Sequence, residues 1–217
     1  MIQPRQTGFK GDLMSMISDF TGLITSRVGC GYAYGSQGEI MTQDRLNQLV
    51  KLFGKEHYFG TDKNAGQWIG KQCFDCSGLV VWALQQMKIL KATEDYPAQG
   101  IYEKLCIPST RESLQSGDLC FVNGRSKGRI DHVGIYAGNN QVVHARGTQY
   151  GVVKTGVLPY FGLFGQLKAL SVDELKKALE FIGAKSGIDT NHWYQQAKQV
   201  KWLDECFIKI AKGFGGM

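Results

Sequence analysis

The sequence predicts an α+β fold in which helices come first along the chain and an antiparallel meander follows them. Apolar residues recur at helical spacing in the N-terminal part, and the pattern then changes to short alternating runs separated by glycine and asparagine. Helical spacing returns near the C-terminus. We therefore expect a main domain over residues 1–168 and a helical module over residues 169–217.

The composition is that of a folded globular chain with a basic surface. Its 217 residues are 43% hydrophobic and 20% charged, enough for one substantial core. The net charge of +6 favours polyanionic surroundings. No run of Lys and Arg exceeds two residues, however, and no nucleic-acid-binding motif accompanies the charge, so we expect no nucleic-acid partner.

The chain shows no export or membrane-spanning signal. The first 20 residues lack an apolar signal core, and 18 uncharged apolar residues never occur together. We therefore expect a protein made in the cytoplasm without a visible signal peptide and without membrane insertion. Without a secretory signal, its six cysteines are expected to be reduced thiols.

Two helices are predicted before residue 60. One covers residues 11–26, and a second is expected to begin after Thr42, a good N-cap residue, and to end at Gly54. The polar, glycine-containing residues 55–72 predict a surface loop. The apolar positions of the two helices are Leu13, Ile17, Phe20, Ile24, Leu46, Leu49, Val50 and Phe53.

A third helix and three strands complete the predicted main domain. From Cys76 onward, apolar residues form one buried helix face. The segments DLCFV, HVGIYAG and QVVHARG, at residues 118–122, 132–138 and 141–147, alternate as antiparallel strands do. Residues 158–170 are interrupted by glycines and lose both periodicities, so we place the domain boundary at their C-terminal end.

The pair Cys73 and Cys76 has three interpretations. A structural zinc site needs four ligands, but no second C-x-x-C pair and no paired histidines are present. A thioredoxin-like redox pair requires a preceding strand in a βαβ unit, whereas the strand-rich region lies downstream. In the third interpretation Asp75 caps the helix, and the free N–H groups of its first turn lower the pKa of Cys76. Cys73 then packs as a small hydrophobic residue.

A thiolate peptidase nucleophile also needs an imidazole, and two histidines lie in the predicted hairpin DHVGIYAGNNQVVHARG. If residues 138–140 form a three-residue turn, His132 opposes Arg146 and shares a face of the ribbon with His144. A two-residue turn would put the two rings on opposite faces. Asn-rich loops permit either turn.

Four segments in this order resemble the signature of the NlpC/P-sixty family, which consists of papain-like cysteine peptidases that cut the peptide part of bacterial peptidoglycan. The segment VGCGYAYGSQG resembles the Gly/Tyr motif that precedes the nucleophile in this family, with Gly31 in place of the usual proline. The resemblance covers residues 12–165. The four segments are DCSGLV at 75–80, SGDLCFV at 116–122, HVGIYAG at 132–138 and VVHA at 142–145.

The resemblance implies a papain-like core and three catalytic residues. Cys76 would be the nucleophile, His132 the base and then the acid, and His144 the polar third member that orients His132. The sulfur would attack the scissile carbonyl, His132 would protonate the departing amine, and water would release the acyl group. This mechanism requires no cofactor and no metal ion.

The resemblance also implies substrate contacts. Asp75 and Ser77 would help to hold a free amine of the stem peptide, and Tyr32 would line the cleft. For Asp75 and Tyr32 the structural alternatives are a helix cap and a core position. Residues 36–72 are longer than the link that is usual in the family, and this insertion beside the cleft could change substrate choice.

The implied function is that of a peptidoglycan hydrolase cutting an amide bond of the stem peptide, for example the D-glutamyl–diamino acid bond. The missing leader suggests a phage-type endolysin or autolysin that acts on the cell wall after release. The alternatives are an N-acetylmuramoyl-L-alanine amidase of the same fold, as in the related CHAP amidases, an acyltransferase, and a non-catalytic wall-binding or phage structural protein.

The C-terminal residues 169–217 predict a hairpin of two amphipathic helices, similar to modules at the ends of some lytic enzymes. Such a short hairpin buries little apolar surface by itself, so we expect it to dock on the main domain or on a second copy in a homodimer. Trp193, Tyr194 and Trp202 could contact wall polymer, or could be core or dimer contacts.

Overall fold

Helices dominate the first half of the described chain and one large sheet the second half, which confirms the mixed α+β class. The computed structural model describes residues 9–124, 128–171 and 210. Residues 17–169 form one compact unit, and the description below concerns that unit. The predicted hairpin lies almost entirely outside the described residues, so it and the boundary at residue 168 stay predictions.

The N-terminal elements follow the predicted order. Thr42 caps the second helix by accepting the Arg45 N–H at 3.1 Å, and Gly54 ends it with a φ of 96°. The elements are α1 (Phe9–Thr25), β1 (Gly31–Tyr32), β2 (Gln37–Ile40), α2 (Gln43–Phe53), β3 (Phe59–Gly60), β4 (Lys63–Asn64), β5 (Gln72–Phe74), α3 (Cys76–Gln86) and the short α4 (Ala98–Gly100).

The predicted surface loop at residues 55–72 is mostly exposed, but it is not irregular throughout. This segment contains two 3-10 turns and the small β3–β4 ribbon, and it contributes the completely buried side chains of Tyr58 and Ala65 to a core cluster with α2. The Tyr58 hydroxyl also donates to the Tyr34 carbonyl at 2.8 Å. The apolar residues of this segment are spaced too irregularly to give a helical or strand period, so the sequence did not predict its turns, its ribbon or its buried positions.

The second half of the unit is a six-stranded antiparallel sheet with the order β10-β9-β8-β7-β11-β6. The three predicted strands correspond to β7, β8 and β9. The strands are β6 (Cys106–Ser109), β7 (Leu119–Asn123), β8 (Ile130–Gly138), β9 (Gln141–Gly147), β10 (Gly151–Gly156) and β11 (Leu163–Leu167). A smaller sheet has the order β1-β5-β2.

Residues 158–170 contain a strand that the sequence did not predict, β11, which lies between β6 and β7. Phe164 and Leu167 are both buried, so the strand lacks the alternation of a half-exposed one. Gly165 faces Cys106, where a Cβ would lie 2.8 Å from the Cys106 Cβ. The close approach of two strands therefore explains why a glycine stands here, and this glycine interrupts the sequence pattern of β11.

The helix α3 packs on strands β8 and β9 of the large sheet. Its apolar face is completely or almost completely buried, which supplies about 1.5–3 kcal/mol for each large aliphatic side chain. This packing brings the first residue of α3, Cys76, against β8. Among the described residues, no helix is both long enough and apolar enough to cross a bilayer.

Candidate active site

The start of α3 is held by Asp75, as its role as a cap predicts. One carboxylate oxygen accepts the Gly78 N–H at 2.7 Å and the Ser77 hydroxyl at 3.1 Å. The other accepts the Gly35 N–H at 2.8 Å. Asp75 therefore ties the helix to the Gly/Tyr segment, and burial raises the pKa of its carboxyl although these hydrogen bonds oppose the rise.

The nucleophile candidate Cys76 follows this cap and lies against β8. Its Sγ is 3.8 Å from the Asp131 carbonyl, and the backbone N–H groups of Val133, Ser77 and Cys76 itself favour the thiolate. The sulfur thus meets the strand on both sides of His132. Cys73 is completely buried, as predicted.

The expected low pKa of Cys76 is not found. Burial raises the pKa of this thiol to about 12, and the negative charge of Asp75 raises it further. The N–H groups at the helix start act in the expected direction, but removing a thiolate from water costs more than they supply. The residue keeps some exposure at the wall of a cavity, while its resting form is the neutral thiol.

The histidine hairpin reaches the predicted arrangement by a different turn. The turn has two residues, Asn139 and Asn140, with φ values of 53° and 56° that favour the type I′ geometry. A β-bulge at Ala137 adds one residue to β8. Beyond the bulge the register is therefore that of the expected three-residue turn, and His132 and His144 share one face of the ribbon.

The two imidazoles are in direct contact. His132 Nε2 lies 2.8 Å from His144 Nδ1. Gly134 makes room for this contact, because a Cβ there would lie 3.1 Å from the His144 Cβ and 2.4 Å from Val142 Cγ1. Phe161 covers the pair, with ring centroids 6.0 Å from His132 and 5.6 Å from His144.

Both imidazoles are neutral at pH 7. Burial lowers the pKa of His132 to about 4, and the charge of Arg146 adds to this effect while that of Asp131 opposes it. Burial lowers the pKa of His144 to about 3, since a charged His144 would also be repelled by protonated His132 and by Arg146. A neutral imidazole can accept a proton, so His132 is in the form that a general base requires.

Thr155 on β10 fixes the direction of the hydrogen bonds. Its Oγ1 lies 3.2 Å from His144 Nε2 and donates to the Gly156 carbonyl at 3.0 Å. With its hydrogen used on that carbonyl, Oγ1 accepts from His144, which assigns the proton of His144 to Nε2. His144 Nδ1 then accepts from His132 Nε2–H, so the lone pair of neutral His132 lies on Nδ1.

Tyr32, Asp75, Cys76 and Ser77 line one cavity of about 330 Å³. Burial raises the pKa of Tyr32 well above its ordinary range, and the nearby charges of Cys76 and Asp75 add to it, so the phenol remains a hydrogen-bond donor. The structure therefore brings these four predicted site residues together. His132 and His144 stand next to this cavity rather than in its wall.

A comparison with known protein families places this geometry in context. The model of the NlpC/P60 family matches residues 54–162, half of the chain. The chain belongs to the NlpC/P60 family. This family is made up of cysteine-type peptidoglycan peptidases. The matched region includes Cys76, His132 and His144, whereas Tyr32 precedes it.

Curated relatives are similar to part of this chain. The chain is 29% identical over 114 residues to murein DD-endopeptidase MepH of Escherichia coli, covering 52% of this chain and 39% of that protein. It is 33% identical over 99 residues to the bifunctional muramidase/DL-endopeptidase CwlT of Bacillus subtilis, covering 44% and 29%. The chain thus spans less than half the length of these two relatives.

Solved structures of NlpC/P60 proteins are also similar to this chain. The peptidoglycan hydrolase RipB of Mycobacterium tuberculosis has a TM-score of 0.48 at 21% identity, covering 76% of this chain and 67% of that one. NlpC1 of Trichomonas vaginalis also has a TM-score of 0.48, at 20% identity, covering 70% and 44%.

The cavity of this NlpC/P60 chain has an aromatic wall that sequence reasoning missed. Tyr34 and Phe53 line it, with their ring centroids 5.3 Å apart, and His57 stacks on Tyr34 at 4.4 Å. Phe53 belongs to the predicted apolar face of α2 but is partly exposed to the cavity. Its function as a wall depends on the packing of the 36–72 insertion, which no local pattern reports.

Charged residues of the cavity were missed as well. Asp95 and Asp131 add two carboxylates to that of Asp75, and Arg129 adds one cation. They come from loops and strand ends, where single charged residues give no sequence signal. Within the described residues, no group of three or more His, Cys, Asp or Glu side chains is arranged to hold a metal ion.

Proposed function

We propose that this chain hydrolyses an amide bond of the peptidoglycan stem peptide, with Cys76 as nucleophile, His132 as base and then acid, and His144 as the residue that orients His132. One observation carries the proposal. The contact of 2.8 Å between His132 Nε2 and His144 Nδ1, continued to Thr155, leaves the Nδ1 lone pair of His132 free to accept a proton.

The proton of Cys76 moves to His132 Nδ1 as the sulfur attacks the carbonyl carbon. Because the thiol and the imidazole are both neutral at rest, attack and deprotonation occur together. The protonated His132 gives the proton to the departing nitrogen, and an acyl-enzyme remains on the sulfur. Water, deprotonated by His132, then attacks the thioester and releases the acid.

The negative charge on the substrate oxygen develops next to the start of α3. The backbone N–H of Cys76 is one donor for this oxyanion, at a helix N-terminus that favours negative charge. We propose Tyr32 as a second donor. It borders the same cavity as Cys76, and its raised pKa keeps the hydroxyl protonated at every working pH.

We further propose the D-glutamyl–diamino acid bond as the scissile bond. CwlT is named a DL-endopeptidase and MepH a DD-endopeptidase, so the relatives do not agree on one bond. The carboxylates of Asp75, Asp95 and Asp131 favour the amino-terminal part of a stem peptide, whose free amine is positive. The role of a phage-type endolysin or autolysin, released to act on the wall, belongs to this proposal.

Digestion of purified cell walls tests the function. We expect native protein to release fragments with new amino groups and no new sugar reducing ends, and Cys76→Ala to release none. Cys30→Ala is the matched control, because Cys30 is a partly exposed free thiol that does not line the cavity, and it should remain active. Equal release by Cys76→Ala would contradict the proposal.

Mass spectrometry of the fragments separates the alternatives. New D-glutamyl carboxylates indicate the proposed bond, whereas free lactyl groups on muramic acid indicate an amidase. Wall binding without any release indicates a non-catalytic protein.

A further inference from the structure

Arg146 lies near the two histidines but has no part in the mechanism above. It is two residues beyond His144 on β9, so the two side chains point to the same face of the sheet, about 7 Å apart along the strand. The guanidinium carbon of Arg146 stands 4.2 Å over the ring centroid of Tyr150. Burial raises the pKa of Tyr160 and the nearby charge of Arg146 opposes that rise, and the ring centroid of Tyr160 lies 5.0 Å from that of Phe161.

The loop that carries Tyr150 is fixed from outside. Gln67 Nε2 and Trp68 Nε1 both donate to the Thr148 carbonyl, at 2.8 and 2.7 Å. Gly151 lies against the same indole, where a Cβ would be 2.9 Å from Trp68 Cη2. The insertion before α3 therefore holds the turn between β9 and β10. It thereby also holds Tyr150, the ring on which Arg146 stacks.

The charge of Arg146 is not neutralised by the protein within the part of the chain that the structure describes. The ion pair found there joins Arg45 to Glu39, and no carboxylate lies within 4.0 Å of the Arg146 guanidinium. Arg146 is exposed, yet its charge lowers the pKa values of His132 and His144. A cation stacked on the Tyr150 ring and without an acidic partner among the described residues is available to an anionic ligand.

We propose that Arg146 binds the free C-terminal carboxylate of the leaving fragment, and so selects stem peptides whose C-terminus is not cross-linked. This inference rests on the proposed hydrolase function and extends it to the leaving-group side of the cleft.

The position of Arg146 relative to His132 supports this assignment. The acyl half of the substrate is bound to Cys76 in the cavity, so the leaving amine must depart over His132, which protonates it. In an extended dipeptide the new amine and the C-terminal carboxylate are about 7 Å apart, and the long side chain of Arg146, on the strand β9 that pairs with the His132 strand β8, can reach over this length. A dipeptide leaving group therefore spans the distance.

The charges of the cavity favour this orientation. Its wall contains Asp75, Asp95 and Asp131 against the single cation Arg129, so a positive amine is attracted there. The amine end of the stem peptide is attracted to that side and the carboxylate end to Arg146. One end of the cleft thus binds the amine end of a short peptide, and the other end binds its carboxylate end.

Two synthetic stem tetrapeptides test the proposal. Both contain L-Lys as the diamino acid and D-Ala at the C-terminus, and they differ only in a C-terminal carboxylate or carboxamide. We expect the native protein to prefer the carboxylate by roughly 10- to 100-fold in kcat/KM, the range of one charge-assisted hydrogen bond. Arg146→Gln should lose this preference by slowing the carboxylate only, and Arg146→Lys should keep part of it.

Lys154→Gln is the matched control. It removes one positive charge from the neighbouring strand β10, where Lys154 pairs with Val143 and so points to the opposite face of the sheet from His144. The preference should be unchanged in this variant. Equal hydrolysis of the two peptides by the native protein, or equal slowing of both by Arg146→Gln, would overturn the proposal.

A binding measurement separates this proposal from the hydrolase itself. In the Cys76→Ala protein, L-Lys-D-Ala should bind more tightly than its C-terminal amide, and the additional change Arg146→Gln should abolish the difference. If the binding difference is present but native protein cleaves neither tetrapeptide, the subsite stands and the hydrolase fails. If cleavage occurs and the difference is absent, the hydrolase stands and the subsite fails.

Discussion

Replacing Thr155 by Val tests the direction of the hydrogen bonds between the histidines. The two side chains have nearly the same shape, so the change removes the Oγ1 that accepts from His144 Nε2 at 3.2 Å and little else. His144 has no exposed surface, so no water replaces the lost acceptor. Its Nε2–H is left buried and unpaired in the native tautomer.

The expected cost follows from that unpaired group. A buried donor without a partner costs about 1–3 kcal/mol, which corresponds to a factor of roughly 5 to 150 in a population. His144 can avoid this cost by moving its proton to Nδ1, which then donates to His132 Nε2. Neutral His132 would carry its own proton on Nδ1 and could no longer accept one from Cys76. We therefore expect kcat to fall by this factor while KM changes little.

Kinetics and NMR together check this reasoning. The Thr155→Ser variant keeps the hydroxyl and should recover most of the activity, and the nitrogen chemical shifts of His144 should report Nε2–H in native protein and a shift toward Nδ1–H in Thr155→Val. Native-like kcat in Thr155→Val with an unchanged tautomer would refute the assignment. So would an equal loss in both variants.

Three further outcomes are expected. Burial raises the pKa of Cys76 to about 12, so its ultraviolet thiolate absorbance should rise only at strongly alkaline pH, in a protein whose other thiols have been replaced. A midpoint below pH 8 would contradict this. His132 and His144 have folded pKa values of about 4 and 3, below the ordinary 6.5, so the stability present above pH 6.5 should be lost progressively as pH falls toward 4, and calorimetry should find a falling Tm there. Gly134→Ala should lower both Tm and activity, because its Cβ would lie 2.4 Å from Val142 Cγ1, whereas Gly60→Ala meets no atom within 4 Å and is the control; equal Tm values for the two variants would contradict the crowding.

The helices and the site strands were predictable because their signals are local. The cap at Thr42, the end at Gly54 and the cap at Asp75 depend on residues within one turn of the helix. The strands β8 and β9 were recognised from alternation alone. The resemblance to a family then points to Cys76 and His132.

What the sequence did not predict depends on packing between distant segments. The strand β11 is buried between two others and therefore lacks alternation. Whether His132 and His144 lie on the same face of the ribbon depends on a two-residue turn and a bulge at Ala137. Neither feature leaves a distinct residue pattern in the sequence. Thr155 approaches His144 only through the register of β10 against β9.

The high pKa of Cys76 and the low pKa of His132 have the same physical cause, which is burial of each charged form. The pair can hold one proton on sulfur or on nitrogen, and a pH–rate profile reports only the two macroscopic values of the pair. Burial favours the arrangement with two neutral groups over the ion pair. The N–H groups at the start of the helix then do not donate to a resting thiolate. They remain available to the oxyanion when the substrate carbonyl is attacked. A site that keeps its nucleophile protonated can therefore still direct its electrostatic stabilisation to the transition state, since only there does negative charge develop.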